Sequence, residues 1–167
     1  MTNQKIKNLS QGKLPDMMIV GMVSNKALNG HKTETFYNYK HNNLSYIAVQ
    51  RDGVQYPSTP FKPTFGDGGN NVRGYHSLFH ATGKLNNDEG LCFTREEYEK
   101  GYTMFAFNFT PDLNDCGMSQ LQKKGELSIE LGFSEVVAEA TNVVILSVYD
   151  HTVKITENRS VLLDYIP

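Results

Sequence analysis

Strand-like alternation, with a period of two residues, runs through the C-terminal half of this sequence. In the stretch from Tyr102 to Phe109, three phenylalanines (Phe105, Phe107 and Phe109) fall on one face of an extended strand. No nucleophile, base or metal ligand stands among them. Such a strand commits a large apolar face to packing rather than to chemistry. We therefore expect the three rings to lie in a core between two sheets.

The same kind of pattern recurs along the chain and predicts about seven or eight strands, mostly antiparallel. Asp52-Gly53, between two alternating runs, suits the tight turn of a hairpin. A nearly continuous apolar run, such as 142–149, is typical of a strand between two packed layers. The other predicted strands are Met17 to Ser24, Leu44 to Gln50, Val54 to Tyr56, Glu126 to Phe133, and a closing hairpin of Thr152 to Thr156 with Val161 to Tyr165.

Two short helices are predicted in the connections. Val72, Tyr75 and Phe79 are spaced as residues on one face of a helix. Thr94 and Glu97 fit a capping box at the start of a second helix. Together these elements predict an all-β fold, an antiparallel β-sandwich of jelly-roll type with one or two short helices in the connecting loops.

The length of the chain, 167 residues, fits one domain. The first sixteen residues are polar, so we predict an N-terminal arm over 1–16 and a single jelly-roll domain over 17–167. Three prolines, Pro57, Pro60 and Pro63, are expected to block regular strand pairing in the loop that contains them.

Charge and hydropathy argue against two classes of partner. The net charge is −2, and no block of basic residues forms a nucleic-acid footprint. The longest apolar run, Met17 to Val23, is too short to span a membrane, and no apolar leader segment stands at the N-terminus. We expect no direct nucleic-acid binding, no membrane insertion and no secretion, with Cys92 and Cys116 as reduced thiols. The expected location is intracellular, in the cytoplasm or nucleus.

Three segments could carry chemistry, but each has a simpler interpretation. His76 and His80 have a spacing that can share a metal, yet no third ligand is evident, and a polar helix face explains them better. Asp112 and Asp115 lack the alternation of a calcium loop and suit a turn. The glycine-rich segment 65–71 lacks the Lys-Ser/Thr of a phosphate loop. We therefore predict no catalytic residue, no metal and no cofactor, and no enzyme.

An ordered series of motifs in the second half carries a resemblance to a known family. An aromatic strand ends in a Pro-Asp turn, a strand anchored by glycine follows, then a strand ending in aromatic-Asp, then a hairpin turning on Asn-Arg. This series resembles the C-terminal jelly roll of double-jelly-roll major capsid proteins, above all the capsid-type proteins of Polinton (Maverick) elements and adintoviruses and their relatives in animal genomes. The motif residues are Tyr102, Phe105, Phe107, Phe109, Pro111, Asp112, Gly125, Asn158 and Arg159.

The resemblance extends over about Leu14 to Tyr165 and implies a structural capsid-type protein of a double-stranded DNA virus or a virus-derived transposon. Such a protein works by packing side by side into a shell, so the expected location is the virion if the protein is viral. The implied partners are further copies, in a trimer or a hexamer-like capsomer, or a partner jelly-roll chain. Capsid proteins of this family carry two jelly rolls, whereas 167 residues hold one. The chain is therefore expected to be a C-terminal half or a domesticated single-roll derivative.

An alternative function is a binding module that recognises a protein or carbohydrate ligand through its loops. Two aromatic segments, Phe36 to Tyr39 and Pro57 to Phe65, are the candidate contact residues for such a ligand. The competing interpretation is that these aromatics pack beneath the loops.

Overall fold

The computed structural model describes residues 2–85, 88, 90–110, 124–150 and 153–163. These ranges contain strands, three short helices and connecting loops. The strands are β1 (Thr2–Lys13), β2 (Met17–Ser24), β3 (Leu44–Arg51), β4 (Val54–Phe61), β5 (Met104–Asn108), β6 (Lys124–Phe133), β7 (Thr141–Val148), β8 (Val153–Ile155) and β9 (Val161–Leu163). The helices are α1 (Asn25–Leu28), α2 (Val72–Ala81) and α3 (Arg95–Gly101).

Two antiparallel sheets supply most of the structure. One sheet has the order β1-β6-β3-β4 and the other the order β5-β2-β7, while β8 and β9 form a separate ribbon. Buried side chains from both sheets belong to one apolar cluster. The prediction of an all-β sandwich with antiparallel strands is therefore confirmed. Members of the cluster include Met18, Val20, Ile47, Val49, Phe61, Phe105, Phe107, Phe109, Leu127, Ile129, Leu131 and Phe133.

The aromatic strand packs as predicted, although it is shorter. Phe105, Phe107 and Phe109 are buried in the core between the sheets. The strand was predicted from Tyr102, but β5 begins at Met104 because the backbone at Tyr102 closes the end of α3 as its C-terminal cap. The opposite face of β5 is covered by helices, since Ala106 packs in a second cluster with residues of α2 and α3.

The hairpin of β3 and β4 turns at Asp52-Gly53, as predicted. Both residues have positive φ values, 51° and 78°, which is the conformation of a tight two-residue turn. The Asp52 carboxylate accepts a hydrogen bond from the backbone N–H of Glu126 at 2.8 Å. A Cβ at Gly125 would lie only 2.5 Å from Asp52 Oδ2, so this turn explains why glycine stands at 125.

The prediction that the prolines block strand pairing is wrong in part. Strand β4 continues through Pro57 and Pro60, and the pairing with β3 resumes at Phe61. The register shifts between the pairs Ile47–Phe61 and Val49–Tyr56, which leaves residues 57–60 of β4 without paired residues in β3. Both prolines lie in this irregular segment, because proline has no N–H group to donate to the neighbouring strand.

The N-terminal segment, predicted as a polar arm, forms the edge strand β1. It pairs antiparallel with β6 along nearly its whole length, with one register shift between Ile6 and Ser10. Ile6 and Leu9 pack against the core, while the other side chains are mostly polar. An edge strand with one solvated face needs few apolar residues, which is why its sequence resembles that of a polar N-terminal arm.

The C-terminal strands are present but are packed less than predicted. Strand β7 was predicted between two layers. In the described residues it is instead an edge strand with one open face, because α2 and α3 pack over β5 and β2. The closing hairpin forms at β8 and β9 and turns on Asn158-Arg159, as predicted. Arg159 has a φ of 59°, and the N–H of Arg159 donates to Thr156 O at 2.9 Å.

Candidate interaction surfaces

The motif residues lie in different parts of the structure. Phe105, Phe107 and Phe109 are in the core, and Tyr102 is half-exposed with its ring stacked on Phe93 at 4.9 Å. Gly125 lies against the first hairpin turn, and Asn158 and Arg159 form the last one. Pro111 and Asp112 fall outside the described residues, as do Asp115 and Cys116. The described motif residues therefore contribute to packing and to turns. The role of the motif in a capsid stays a prediction.

The histidine pair lies at a cavity between α2, β4 and β5. His76 is exposed and His80 half-buried, and both line a space of about 370 Å³ whose walls are largely apolar. Within the described ranges, no three His, Cys, Asp or Glu side chains are grouped as metal ligands. Arg73 at the same cavity donates to Thr59 O at 2.7 Å and Pro60 O at 2.9 Å, so its guanidinium ties α2 to β4.

The glycine-rich segment holds a carboxylate of the chain itself. The N–H of Gly66 donates to Glu99, and the side-chain amide of Asn71 donates to the other oxygen of the same carboxylate at 3.2 Å. A phosphate on the Gly66 N–H would therefore meet a negative charge already in place. The segment lacks the Lys-Ser/Thr of a phosphate loop, and this contact is a second argument against a phosphate site.

A polar groove of about 790 Å³ opens beside this segment. Of the aromatic candidates, Tyr37 is 71% exposed, and its ring lies edge-on against Phe36 with centroids 5.7 Å apart. Phe61 is buried, and Phe65 is partly covered by His41. The groove is lined by Asn38, Lys40, His41, Asn42, Asn43, Gly66, Asp67, Glu96, Glu99 and Lys100.

His41 is held neutral in the wall of this groove. Burial lowers the pKa of its imidazole, and the charge of Glu99 opposes that shift only in part. The N–H of Asn43 donates to His41 Nδ1 at 3.0 Å, which requires that nitrogen to carry no proton. The ring also stacks on Phe65 with centroids 4.1 Å apart.

We expect acid to destabilise the chain through His41. Because its pKa is lowered in the folded state, His41 binds fewer protons there than in the unfolded state. The contribution of neutral His41 to the free energy of unfolding is therefore fully present above its ordinary pKa of 6.5 and is lost as the pH falls below 6.5. Thermal melts between about pH 7.5 and 5.5 should show a steeper loss of Tm for the native chain than for His41→Gln. His31→Gln, at an exposed histidine, is the control, and equal slopes for all three would contradict the prediction.

The β8–β9 ribbon exposes apolar side chains on both faces. Val153, Ile155 and Val161 share one face, because directly paired residues of antiparallel strands point the same way. Each is more than half exposed, and Ile155 reaches 71%. Leu162, on the other face, is exposed as well. The ribbon therefore presents apolar surface that the described part of the chain does not cover.

The outer face of β7 is the second apolar surface. Val143 and Ile145 point into the core, whereas Leu146 is 58% exposed and Val148 is also exposed. The helices cover the neighbouring strands through Ile19 and Ala106 but leave this strand open. No helix in the described ranges is long and apolar enough to cross a membrane. Fold and surfaces together define an all-β sandwich protein with apolar faces suited to protein contacts.

Comparison with known proteins gives one distant relative. The chain is 26% identical, over 134 residues, to a Caenorhabditis elegans protein described as "Uncharacterized protein F54H12.2". The match covers 76% of this chain and 30% of the nematode protein, so the chain spans less than a third of the length of this relative. No protein-family model matches the chain. No solved structure matches it significantly.

Proposed function

We propose that this chain is a structural, self-associating protein of capsid type, a jelly roll that packs into a shell or oligomer and has no catalytic role. The observation that carries the proposal is the β8–β9 ribbon, whose apolar side chains are exposed on both faces. The motif series that resembles the C-terminal jelly roll of capsid proteins ends in this ribbon, at Asn158 and Arg159.

The physical argument is that such a ribbon needs a partner. An isolated two-stranded hairpin is at best marginally stable in water. Fully burying a side chain such as Ile155 or Val161 is favourable by about 1.5–3 kcal/mol, so a partner surface over the ribbon would stabilise both the contact and the hairpin. Contiguous exposed apolar patches on a folded domain commonly mark protein interaction sites.

The order of the strands also supports a jelly roll. Both sheets place strands side by side that are far apart in sequence, such as β1 beside β6 and β2 beside β7. Double-sheet folds of this kind, with long connections between the sheets, include the jelly roll of viral capsid and lectin domains. The relative from the nematode is much longer than the matched region, which is compatible with a further domain as partner.

The ribbon gives a direct test of association. Mass measurement by analytical ultracentrifugation at micromolar concentration should show an oligomer for the native chain. Ile155→Lys should weaken the association at least about tenfold, or 1.4 kcal/mol, because a charge replaces an apolar contact. The control is Val54→Lys, at an exposed valine in the first hairpin. A native chain that stays a monomer in isolation and in its natural extract would rule out self-association.

A second candidate function is a domesticated module that binds a carbohydrate or a protein. The polar groove favours it, because its amides and carboxylates can hydrogen-bond hydroxyl groups, and Tyr37, which precedes the groove residue Asn38 in the chain, carries an exposed aromatic ring. A glycan array would show binding that Tyr37→Ala abolishes. An array without hits would remove the carbohydrate version of this alternative.

A further inference from the structure

Three of the four edges of the sandwich carry features that prevent pairing with another strand. Natural sheets protect their edges with lysine, proline, bulges or covering side chains. Strand β1 contains Lys5, Lys7 and Lys13 and a register shift, and β4 contains Pro57 and Pro60 and another shift.

The edge of β5 is protected by side chains instead. The Tyr98 hydroxyl donates to Met104 O at 2.8 Å, and the N–H of Ala106 donates to Ser77 Oγ at 3.4 Å. The hydroxyl of Tyr56 donates to the backbone carbonyl of Asn108, the last residue of the strand. Three backbone groups along this edge are therefore occupied from within the chain.

Within the part of the chain that the structure describes, strand β7 has none of these features. Its sequence, TNVVILSV, contains no charge, no proline and no glycine. It pairs with β2 in unbroken register over eight residues, and no strand in the described ranges lies on its other side. Its outer face exposes Leu146 and Val148. An exposed, regular, apolar edge of this kind is a template for a further strand.

We propose that β7 of one copy pairs antiparallel with β7 of a second copy across a two-fold axis. The two three-stranded sheets then join into one sheet of the order β5-β2-β7-β7-β2-β5. A two-fold contact is the simplest closed association, since the same surface serves both partners. This inference rests on the proposed function and adds a contact through β7 to the contact through the β8–β9 ribbon.

The sequence of β7 favours a second copy as its partner. Opposite residues in an antiparallel pair share a face, and a two-fold axis at Ile145 sets Val144 opposite Leu146 on the outer face and Ile145 opposite itself. No charged residue meets a like charge, because the strand has none. This register pairs residues 142–148 and sets the more exposed Leu146 opposite an apolar residue, with Val148 opposite Asn142 at the end of the strand, whereas an axis at Val144 would set Leu146 itself opposite Asn142.

Disulfide trapping tests both strand and register. One preparation carries Val144→Cys and the other Leu146→Cys, each in a background with Cys92→Ser and Cys116→Ser. On mixing and mild oxidation, the mixed disulfide dimer should exceed either homodimer, because only positions 144 and 146 are directly opposite. Diagonal positions are about 7–8 Å apart, which disfavours a bond. Equal yields of all three dimers would overturn the proposed register.

A charge substitution gives the second measurement. Leu146→Lys should weaken the native association at least about tenfold, whereas Val136→Lys, at another highly exposed apolar residue, should leave it unchanged. Circular dichroism confirms that both variants fold. If association survives Leu146→Lys and the mixed disulfide is not in excess, the β7 contact is wrong while self-association stands. Loss only in Ile155→Lys would assign the contact to the β8–β9 ribbon. If the native chain is a monomer, both the proposed self-association and the β7 contact are wrong.

Discussion

Phe107→Ala is expected to lower the free energy of unfolding by about 3–5 kcal/mol. Phe107 is 1% exposed, and its ring meets that of Phe61 edge-on with centroids 5.4 Å apart. Phe107 lies in one sheet and Phe61 in the other, so the substitution opens a cavity between the two layers of the sandwich. The surrounding rings are held by both sheets and can relax only partly into the space.

Urea unfolding followed by circular dichroism measures this loss. Phe107→Leu should cost less than the alanine variant, because a smaller cavity is left. Val54→Ala is the control, since Val54 is 69% exposed and its truncation should change the stability by less than about 0.5 kcal/mol. A loss below about 1 kcal/mol for Phe107→Ala would show that the contact between the sheets does not stabilise the fold.

The strands that could be predicted from sequence are those whose burial has a local signature. Phe105, Phe107 and Phe109 alternate with smaller or polar residues, and the structure buries all three. The turn at Asp52-Gly53 was also predictable, because its positive φ values favour these residue types. In such segments, a few neighbouring residues determine both the backbone conformation and the face that is buried.

Edge strands were harder to predict because their status depends on distant partners. The segment 2–13 pairs with β6, more than a hundred residues later, and few of its own residues are apolar. Strand β7 shows the opposite case, since its continuous apolar run is typical of burial on two faces. The structure leaves one face and one edge of β7 open in the described chain. The surplus of apolar residues is the reason to infer a partner there.

The contacts of the polar groove could not be read from sequence for the same reason. Glu99 accepts hydrogen bonds from Gly66 and Asn71, which are far from it along the chain. The neutral state of His41 depends on burial against Phe65 and on the Asn43 N–H. The helix containing Glu99 was predictable through its capping box, but the side chains that meet across the groove were not.

The position of Tyr98 in the core was not predicted from the sequence. Truncating its side chain should lower the free energy of unfolding about as much as truncating that of Phe107. Its side chain is 0% exposed and packs between α2 and β5. A Cβ at Gly74 would lie 2.7 Å from Tyr98 Oη, so α2 approaches the strand closely only because glycine faces the hydroxyl. Tyr98→Ala should lower the free energy of unfolding by about 3–5 kcal/mol.

Tyr98→Phe separates the hydroxyl from the ring. The variant keeps the packing but removes the donor to Met104 O, and we expect a loss of about 1–3 kcal/mol in urea unfolding. Burial raises the pKa of Tyr98 far above its ordinary 10.0, so the folded state keeps a proton that the unfolded state releases, and stability falls as the pH rises above 10.0. The native chain should therefore lose stability in alkali more steeply than Tyr98→Phe. Tyr102→Phe, at the half-exposed tyrosine, is the control. If Tyr98→Phe matches the native chain in both measurements, the hydroxyl has no part in closing the β5 edge.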